Sequence, residues 1–272
     1  MLTCAITGSK GVLGTKLKKK IPLKFYEFDG DITNKNKVNQ WIQKKHFDIL
    51  IHLAAIVPTN LVNKNYKKAY EVNVIGTNNL INSLKKKKNK PKWLFFSSTS
   101  HVYKPLDKFK KISEKSKLYP ASKYGKTKML AEKLLLKKLK KSSIKLCIGR
   151  IFSFTDKKQK KPFVIPSIKD KLNNSKKKII FKNINQFRDF LNIDDVISAI
   201  YILMKTSKVG IYNIGSGRKF DLRKIVKLFN KNKKDIIFKN TVRPTYLISN
   251  NNKLLKTKWR ASKFKNDIRY FY

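Results

Sequence analysis

The sequence predicts an α/β fold built on a parallel, doubly wound sheet. Short apolar runs of strand length recur along the chain, and lysine-rich stretches with helical periodicity separate them. A glycine-rich turn joins the first of these strands to the first helix. Because strands separated by helices can return in the same direction, this alternation is typical of a parallel sheet with helices on both faces.

The composition is that of a globular protein with a sizeable core. The chain has 272 residues, of which 41% are apolar, enough for a main domain with a small appendage. No apolar run is long enough to span a membrane, and the N-terminus reads as a strand rather than a signal peptide. Cys4 and Cys147 lie in apolar runs, where free thiols suit a reducing compartment. We therefore expect a cytoplasmic protein with no membrane partner and no metal site.

The net charge of +49 is the strongest compositional bias of the chain. Such a charge suits nucleic-acid binding, but the lysines are spread over nearly every predicted helix and loop, and no aromatic-interleaved patch occurs. Only 7 of the 65 basic residues are arginine, and Asn and Ile are abundant, which fits a drift toward A/T-rich codons. We therefore expect no nucleic-acid partner.

A turn with a glycine at every third position follows the first predicted strand, Thr3–Thr7. The glycines permit a tight turn and close backbone approach, and a helix to about Lys20 would direct free N–H groups at a pyrophosphate. The simpler interpretation is a turn that only joins two elements. The residues of this turn predicted to contact a dinucleotide are Gly8, Ser9, Lys10, Gly11, Val12, Leu13 and Gly14.

An acidic residue, Asp29, follows the second predicted strand, Lys24–Phe28. An acid at this point can accept hydrogen bonds from ribose hydroxyls, so Asp29 favours NAD. Lys10 is placed where a cation would meet the 2′-phosphate of NADP. We predict NAD as the cofactor, with NADP as the alternative.

Asp31 and Ile32 come next and are predicted to line an adenine pocket. A structural role is compatible with this: Asp31 or Thr33 would cap a helix over Lys35–Lys44.

The third predicted strand, Asp48–Ala54, is apolar throughout and is therefore expected to be buried on both faces. Its small terminal residues suit a place where a cofactor presses on the backbone. The predicted contacts here are Leu53, Ala54 and Ala55. A long helix over Tyr66–Lys85 follows and carries Asn73, which is unfavourable inside a helix unless its amide has a function.

Hydroxyl side chains cluster at the end of the fourth predicted strand, Trp93–Ser97. The cluster consists of Ser97, Ser98, Thr99 and Ser100. Ligands bind at the carboxyl ends of parallel strands, so these hydroxyls are expected at the site.

Tyr124 and Lys128 are four residues apart on the following predicted helix, a spacing that places both side chains on one face. A neighbouring ammonium stabilises a phenolate, so we expect Lys128 to lower the pKa of Tyr124 toward neutrality, as a general acid or base requires. In a chain with 58 lysines, the same spacing also arises by chance.

The chain changes character after a fifth predicted strand, Ile144–Ile148, which ends at Arg150. Residues Ser153–Lys178 are basic and contain two prolines, and we expect irregular structure on the substrate side. The later predicted elements are a helix that starts within Gln186–Val196 and runs to about Lys205, a strand over Gly210–Ile214, a helix over Asp221–Asn230 capped by Asp221, and a helical piece from Asn251. We predict a dinucleotide-binding domain at residues 1–150 and a mainly substrate-binding lobe at residues 151–272, with 192–215 returning to the main sheet.

Six motifs follow one another in a recognisable order. They are TGSKGVLG at residues 7–14, Asp31-Ile32, HLAA at His52–Ala55, NVIGT from Asn73, SSTSHVY from Ser97, and YGKTK from Tyr124. In this order and at these spacings the chain resembles the extended short-chain dehydrogenase/reductase family, the nucleotide-sugar epimerases, dehydratases and reductases. The resemblance covers nearly the whole chain, because it continues through Arg188-Asp189-Phe190, Asn213–Gly217 and Arg243-Pro244.

The resemblance implies a Rossmann-type sheet, a small C-terminal substrate-binding lobe and a Tyr-Lys-Thr catalytic site. Tyr124 would be the catalytic acid or base, Lys128 would hold the nicotinamide ribose, and Thr99 would hydrogen-bond the reacting oxygen. Asn73 would brace the site through backbone and water. The implied substrate-binding residues are Thr99, Ser100, Ser153, Arg188 and Arg243, the two arginines binding the phosphates of a sugar nucleotide.

Departures from the family pattern reduce the number of reactions that we expect of this chain. The segment from Gly14 to Asp31 is short, as in reductases of 4-keto-6-deoxy sugar nucleotides, and Ser153 stands where the family often has asparagine. Dehydratases typically carry an Asp-Glu pair directly after the residue at Thr99. This chain has Ser100 and His101 there, and His101 is expected to pack or to face solvent.

We therefore predict an NAD(P)-dependent reductase of a 4-keto-6-deoxy sugar nucleotide. The alternatives are a nucleotide-sugar 4-epimerase with retained NAD and a non-catalytic dinucleotide-binding protein. The resemblance also implies a homodimer formed through the helices around Tyr66–Lys85 and Tyr124–Lys140, although their lysine-rich faces would repel each other.

Overall fold

The computed structural model of the chain describes residues 2–174, 178–264 and 267–271. The strands are β1 (Thr3–Thr7), β2 (Lys24–Glu27), β3 (Ile49–His52), β4 (Trp93–Thr99), β5 (Lys145–Ile151), β6 (Ser153–Thr155), β7 (Lys178–Lys182), β8 (Gln186–Arg188), β9 (Phe190–Asn192), β10 (Gly210–Ile214), β11 (Phe220–Asp221), β12 (Asp235–Lys239) and β13 (Thr245–Leu247).

The helices alternate with these strands through most of the chain. They are α1 (Val12–Lys20), α2 (Lys35–Lys44), α3 (Thr59–Lys64), α4 (Tyr66–Tyr70), α5 (Gly76–Lys86), α6 (Lys123–Leu139), α7 (Val164–Asn174), α8 (Ile193–Lys205), α9 (Leu222–Phe229) and α10 (Asn252–Leu255). A π-helical turn (Glu71–Ile75) joins α4 to α5, and 3₁₀ turns occur at Ser100–Val102 and Ile268–Phe271.

Within the described ranges, six strands form one parallel sheet in the order β10-β5-β4-β3-β1-β2. The chain leaves β1 toward β2 and then returns to place β3 on the other side of β1. Strand order therefore reverses between β1 and β3, and the predicted doubly wound α/β fold is confirmed.

Both faces of the sheet are buried, as the apolar run of the third strand predicted. Along β3, Ile49 and Ile51 pack into one hydrophobic cluster with α1 and α8, whereas Leu50 packs into the cluster on the opposite face with α2, α5 and α6. Alternate side chains of a strand point to opposite faces, so a strand between two helical layers must be apolar at every position.

Short sheets outside the central one build the C-terminal part. β8 lies between β11 and β13, β7 pairs with β12, and β6 pairs with β9. Apolar side chains of β7, β9, β11 and β12, with those of α7 and α9, form a separate hydrophobic cluster. β10 pairs with β5 in the central sheet. The division into two domains at residue 150 stays a prediction.

The structure differs from the prediction at one long helix and at one segment predicted to be irregular. The helix predicted over Tyr66–Lys85 is interrupted by the π-helical turn, which contains Asn73. The segment predicted to be irregular, Ser153–Lys178, contains β6 and α7. The prediction was wrong here because it took Pro166 to interrupt regular structure. Pro166 lies in the first turn of α7, where a missing N–H costs no helical hydrogen bond. Residues 175–177 of that segment lie outside the described residues.

Helix capping was predicted correctly at one end and wrongly at another. Asp221 caps α9, accepting from the N–H of Arg223 at 2.9 Å. The cap of α2 is Asn34, whose Oδ1 accepts from the N–H of Lys37 at 3.0 Å, rather than Asp31 or Thr33.

The helix predicted to start within Gln186–Val196 begins later in that segment. The residues from Gln186 form β8 and β9, and the helix α8 begins at Ile193.

No helix in the described ranges is both long and apolar enough to cross a membrane. Nor do those ranges contain a group of three His, Cys, Asp or Glu side chains placed to hold a metal ion. Cys4 and Cys147 are free and buried, and burial raises the pKa of each thiol to about 12. Both thiols are therefore protonated and unreactive at neutral pH.

The turn after β1 is close-packed at two glycines. Gly8 has a φ of +72°, and a Cβ there would lie 2.6 Å from the backbone nitrogen of Ala54. A Cβ at Gly14 would collide with the carbonyl oxygen of Gly8 and lie 2.8 Å from Cα of Ser9. At Gly11 the nearest atom would be 3.4 Å away, an ordinary contact.

Gly14→Ala is expected to lower the free energy of unfolding by about 2–3 kcal/mol, because the new methyl group meets backbone that cannot move aside. Gly11→Ala is the matched control in the same turn and should cost less than about 1 kcal/mol. Urea unfolding of both variants measures the difference. Equal stability of the two variants would contradict the packing described for Gly14.

Candidate active site

The carboxyl ends of β1, β3 and β4 meet at one edge of the sheet. Because these strands are parallel and adjacent, the segments that follow Thr7, His52 and Thr99 lie side by side. This edge includes the point where strand order reverses, which in open α/β sheets is the usual position of a ligand crevice.

The glycine turn at this edge fits a diphosphate group. At Gly8 and Gly14 a Cβ would collide with neighbouring backbone, so only glycine allows the turn to be this tight. Helix α1 begins after Gly11, and no side chain caps its first N–H groups. These N–H groups and the positive end of the helix are therefore available to an anion. The roles predicted for Ser9, which is buried, and for the half-buried Val12 and Leu13 stay predictions.

The two residues with opposite predicted effects on cofactor choice contact each other. Lys10 Nζ lies 2.7 Å from Asp29 Oδ1, and both side chains are 75% exposed. An exposed ion pair of this kind is weak, so a bound ribose or ribose phosphate can separate it. The pair itself therefore favours neither NAD nor NADP.

Asp31 and Ile32 have different environments. Asp31 is exposed and accepts from the N–H of Thr33 at 2.9 Å, and this bond lowers the pKa of its carboxyl. Ile32 is buried against Gly76, where a Cβ would lie 2.5 Å from Ile32 Cγ2. Ile32 therefore packs in the core, and its contact with adenine stays a prediction.

Helix α6 carries Tyr124 to the end of β4. Ser122 caps the helix, accepting from the N–H of Gly125 at 3.1 Å. A Cβ at Gly125 would collide with the carbonyl oxygen of His101, so only glycine allows the helix to lie this close to the turn after Thr99. The ring of Tyr124 meets the ring of His101 edge-on, with 5.8 Å between centroids.

Thr99 is arranged as a hydrogen-bond donor. Its Oγ1 accepts from the backbone N–H of His101 at 3.2 Å, which leaves the hydroxyl proton for another acceptor. The hydroxyl lies close enough to Tyr124 to offset part of the rise in the pKa of the phenol. The structure thus brings the predicted residues Thr99 and Tyr124 together.

Lys128 is buried one turn after Tyr124, with 2% of its surface exposed. Its Nζ lies 4.1 Å from the centroid of the Phe96 ring. Burial lowers the pKa of Lys128 to about 7, with Glu132 opposing the shift. At neutral pH the ammonium is therefore only partly charged.

The expectation that Lys128 lowers the pKa of Tyr124 is wrong in this structure. Burial raises the pKa of Tyr124 above its usual value of 10, and Thr99 only reduces the rise. The physical reason is that desolvation disfavours both the phenolate and the ammonium. Tyr124 is accordingly a protonated phenol at neutral pH.

Asn73 fastens two segments of the site. Its Oδ1 accepts from the N–H of Ile56 at 2.8 Å, and its Nδ2 donates to the carbonyl oxygen of Ile56 at 3.0 Å and to Thr127 Oγ1 at 3.0 Å. The side chain therefore ties α6 to the segment after β3, which contains the half-buried Leu53, Ala54 and Ala55. Its π-helical turn agrees with the frequent occurrence of such turns at functional sites.

A buried histidine connects β1 to the start of α5. Thr77 Oγ1 donates to the carbonyl oxygen of Asn73 at 2.8 Å, so it accepts from His52 Nε2–H at 2.9 Å. Nδ1 of His52 must then accept from Thr7 Oγ1, at 2.6 Å. Burial, with the charge of Lys128, lowers the pKa of His52 to about 3, so this neutral ring is structural.

The two arginines predicted to bind substrate differ in exposure. Arg188, at the end of β8, donates through Nη1 to the carbonyl oxygen of Thr245 at 3.0 Å and through Nη2 to Gln186 Oε1 at 2.5 Å. Burial lowers its pKa to about 10. Arg243, two residues before β13, is exposed. β8 and β13 pair in parallel with Leu247 opposite Arg188, so Arg243 lies in the segment that leads into the neighbouring strand, and a shared phosphate site for the two arginines stays a prediction.

The predicted hydroxyl residues are not equivalent. Ser98 is buried and donates to Glu132, so it is engaged within the protein. Ser100 is also buried, in the 3₁₀ turn, whereas Ser97 and Ser153 are half-buried. Contacts of these residues with cofactor or substrate stay predictions.

Sequence reasoning missed a buried ion pair beneath the site. Arg150 Nη2 donates to Glu132 Oε2 at 2.7 Å, with both side chains at most 2% exposed. Nη1 of Arg150 also donates to the hydroxyl of Tyr103 at 2.8 Å. The signal available in the sequence was a glutamate on the same helix face as Tyr124 and Lys128, since residues four apart share a face.

A second missed residue is Asp189, which follows Arg188. Its carboxylate accepts from the N–H groups of Ser216, Gly217 and Ser249 at 2.8, 2.9 and 3.1 Å. The hydroxyls of both serines donate to it as well. Burial raises its pKa, and these bonds oppose the rise. Asp189 thus holds three separate segments together behind the two arginines.

Comparison with known proteins identifies the family. Residues 10–265 match the family model of GDP-mannose 4,6 dehydratase. The chain belongs to this family. Its members lie within the extended short-chain dehydrogenases/reductases, so the resemblance inferred from the six motifs is confirmed.

Curated relatives of this family carry several different activities. The chain is 31% identical over 209 residues to dTDP-D-glucose 4,6-dehydratase of Dictyostelium discoideum, an alignment that covers 73% of the chain and 47% of the relative. It is 27% identical over 187 residues to GDP-6-deoxy-D-mannose reductase of Pseudomonas aeruginosa, covering 66% and 62%. The aligned part thus spans about half the length of the Dictyostelium relative.

Solved structures agree with the fold. The structure of RMD from Pseudomonas aeruginosa complexed with NADPH superposes with a TM-score of 0.88 at 20% identity, and covers 100% of this chain and 97% of that chain. At this sequence identity the likeness shows the fold of the chain, which is built on a Rossmann-type sheet.

Lys128→Met is expected to stabilise the protein at neutral pH. Lys128 is charged up to about pH 10.5 when unfolded but only up to about pH 7 when folded. The buried charge of Lys128 therefore lowers the free energy of unfolding by its full amount below pH 7, and this loss disappears as the pH rises to about 10.5. Removing it should raise the free energy of unfolding by about 1–3 kcal/mol at pH 7.

Urea unfolding at pH 7 and pH 10 measures this effect, and the gain should shrink at the higher pH. Lys126→Met is the matched control, because Lys126 is exposed on the same helix. A K128M variant that is no more stable than K126M at pH 7 would show that burial of Lys128 is not costly.

Proposed function

We propose that the chain binds NAD(P) and reduces the ketone of a 4-keto-6-deoxy sugar nucleotide. The observation that carries this proposal is the convergence of Tyr124, Lys128 and Thr99 beside the glycine turn, at the edge where strand order reverses. Two hydroxyl groups able to act on one oxygen atom, with a buried lysine one helical turn away, thus lie at the same edge of the sheet as the glycine turn.

The residues around the glycine turn supply the cofactor site. Gly8 and Gly14 admit the diphosphate, the N-terminus of α1 binds its charge, and Asp29 accepts from ribose hydroxyls. Lys128 reaches the nicotinamide ribose. A bound nicotinamide dinucleotide supplies the hydride. We predict NAD, whose ribose hydroxyls would take Asp29 away from Lys10. With NADP, the 2′-phosphate would instead take Lys10 away from Asp29.

The protonation state of Tyr124 favours reduction over oxidation as the first step. A protonated phenol can donate its proton to a ketone oxygen as that oxygen gains negative charge. Thr99 has a hydroxyl proton free for the same oxygen and stabilises the developing charge. An alcohol oxidation would instead require the phenolate, which burial disfavours.

The arginines give the site its preference for a sugar nucleotide. Arg188 lies at the end of β8 and Arg243 lies in the segment before the paired strand β13, and guanidinium groups suit a diphosphate. Arg188 must exchange its bonds to Gln186 and Thr245 for phosphate contacts. The net charge of +49 would also attract an anionic substrate toward the site.

A homodimer and a cytoplasmic location stay predictions. We do not propose dehydration, because the two residues directly after Thr99 are Ser100 and His101 and neither carries a carboxylate.

Mass spectrometry of the native protein, combined with an activity assay, tests the proposal. We expect no retained dinucleotide, and oxidation of NADH or NADPH when dTDP-4-dehydro-6-deoxyglucose or its GDP-linked counterpart is added. Tightly retained NAD without such oxidation would favour the 4-epimerase. A protein with no affinity for either dinucleotide would contradict the proposal.

Tyr124→Phe removes the proton donor and should lower turnover by about 10²–10⁴-fold. Dinucleotide affinity, measured by fluorescence titration, should stay within a few-fold of wild type. Tyr119→Phe is the control, since Tyr119 is 62% exposed in the loop before α6. If Y124F kept most of the wild-type rate, Tyr124 would not be the acid.

A further inference from the structure

Three aromatic rings from distant segments meet on one face of the small sheet β11-β8-β13. Phe187 in β8 and Tyr246 in β13 are register partners, and their rings stack with 4.5 Å between centroids and 3° between planes. Phe109, from the loop before α6, lies 6.0 Å from Tyr246. Lys219 Nζ lies 4.8 Å from the ring centroid of Phe109 and 5.5 Å from that of Phe187. These four side chains form an aromatic cluster with a cation held against two of its rings.

The aromatic cluster is not part of the core. In the described ranges, none of its three rings belongs to a hydrophobic cluster of the interior. Phe187 and Tyr246 are half-buried, and 52% of Phe109 is exposed. Alternate residues of a strand point to opposite faces, so Phe187 and Arg188 lie on opposite faces of β8. A ligand on the aromatic cluster therefore need not occupy the proposed substrate site.

Backbone hydrogen bonds fix the loop that carries Phe109. Leu106 and Tyr246 exchange two such bonds, of 2.9 and 2.8 Å. Ile112 forms two more, each of 2.8 Å, with the segment that follows β13. The ring of Phe109 is therefore not needed to anchor the loop, and a ring that stays half exposed buries little apolar surface. Its position suits contact with a ligand better than packing.

A cavity of about 470 Å³ adjoins the aromatic cluster. Its apolar lining includes Ile112 and Leu106, the bridge partner of Tyr246. The exposed lysines that line it are Lys104, Lys110, Lys111 and Lys117. Among the residues that the structure describes, no acidic side chain forms an ion pair with any of these four lysines. Their charges are therefore available to an anionic ligand.

The loop around this cavity has a strong excess of positive charge. Between Lys104 and Pro120 it carries six lysines and two acidic residues. One of the two, Glu114, is turned inward and accepts from the N–H of Asn213 at 2.8 Å, which leaves Asp107 to oppose the lysines at the surface. Phosphates along a flexible strand complement such a charge, and an exposed ring beside it provides a stacking surface for a base.

We propose that the aromatic cluster and the adjoining lysines bind single-stranded nucleic acid. Bases stack on Phe109 while phosphates follow the lysines of the cavity, and any base can stack because every base has an aromatic face. No aromatic-interleaved patch is visible along the sequence, which argued against a nucleic-acid partner. The fold assembles such a patch from three distant segments. The proposal adds a binding activity that is independent of the proposed reduction.

Fluorescence anisotropy of labelled oligouridylate and oligothymidylate, each of about ten nucleotides, tests the role of the ring. We expect binding of either oligonucleotide at about 150 mM salt, and about 10-fold weaker binding to Phe109→Ala. Tyr70→Ala is the matched control, because it removes a ring that is 36% exposed on α4, and it should bind like wild type. Heparin, a polyanion without bases, should bind equally to F109A and to the wild-type protein.

Salt dependence tests the role of the lysines. Lys110→Ser with Lys111→Ser should reduce the slope of log affinity against log salt concentration by about 1.4, since each phosphate contact in a single strand contributes about 0.7. Lys85→Ser with Lys86→Ser removes the same charge from exposed positions on α5 and should leave the slope unchanged. Equal slopes in the two double variants would overturn the proposal. So would oligonucleotide affinity that F109A leaves unchanged, an equal loss of heparin affinity in F109A, or no oligonucleotide binding at this salt concentration.

Discussion

The close contact between helix α6 and the turn after β4 determines the chemistry of this protein. At Gly125 the helix touches the carbonyl oxygen of His101, with no room for a side chain. This approach places the phenol of Tyr124 beside Thr99 and buries Lys128 against Phe96. A wider separation would admit water, and water would return both ionisable groups to their ordinary pKa values.

Burial has opposite consequences for the two halves of the Tyr-Lys pair. It keeps Tyr124 protonated and removes part of the charge of Lys128 at neutral pH. Both effects suit the proton donation to a ketone that we propose for this site. The protein maintains a buried lysine at a cost in stability, as functional sites often do.

In a chain so rich in lysine, the few acidic residues that are buried have specific structural tasks. Glu132 neutralises Arg150, and Asp189 joins its own segment to those of Ser216 and Ser249. A buried carboxylate without such partners would be strongly destabilising. Most lysines lie on the surface, where they act only through their summed field.

The sequence by itself determined the sheet, the glycine turn and the family, because apolar periodicity and glycine spacing are local properties of the chain. It also named Tyr124, Lys128 and Thr99. Tertiary structure decided the pKa values, since desolvation depends on every neighbouring segment. It also decided that Ser98 bonds to Glu132, and that the ring of His101 meets the ring of Tyr124 edge-on. These contacts join residues far apart in the chain, and no local pattern encodes them.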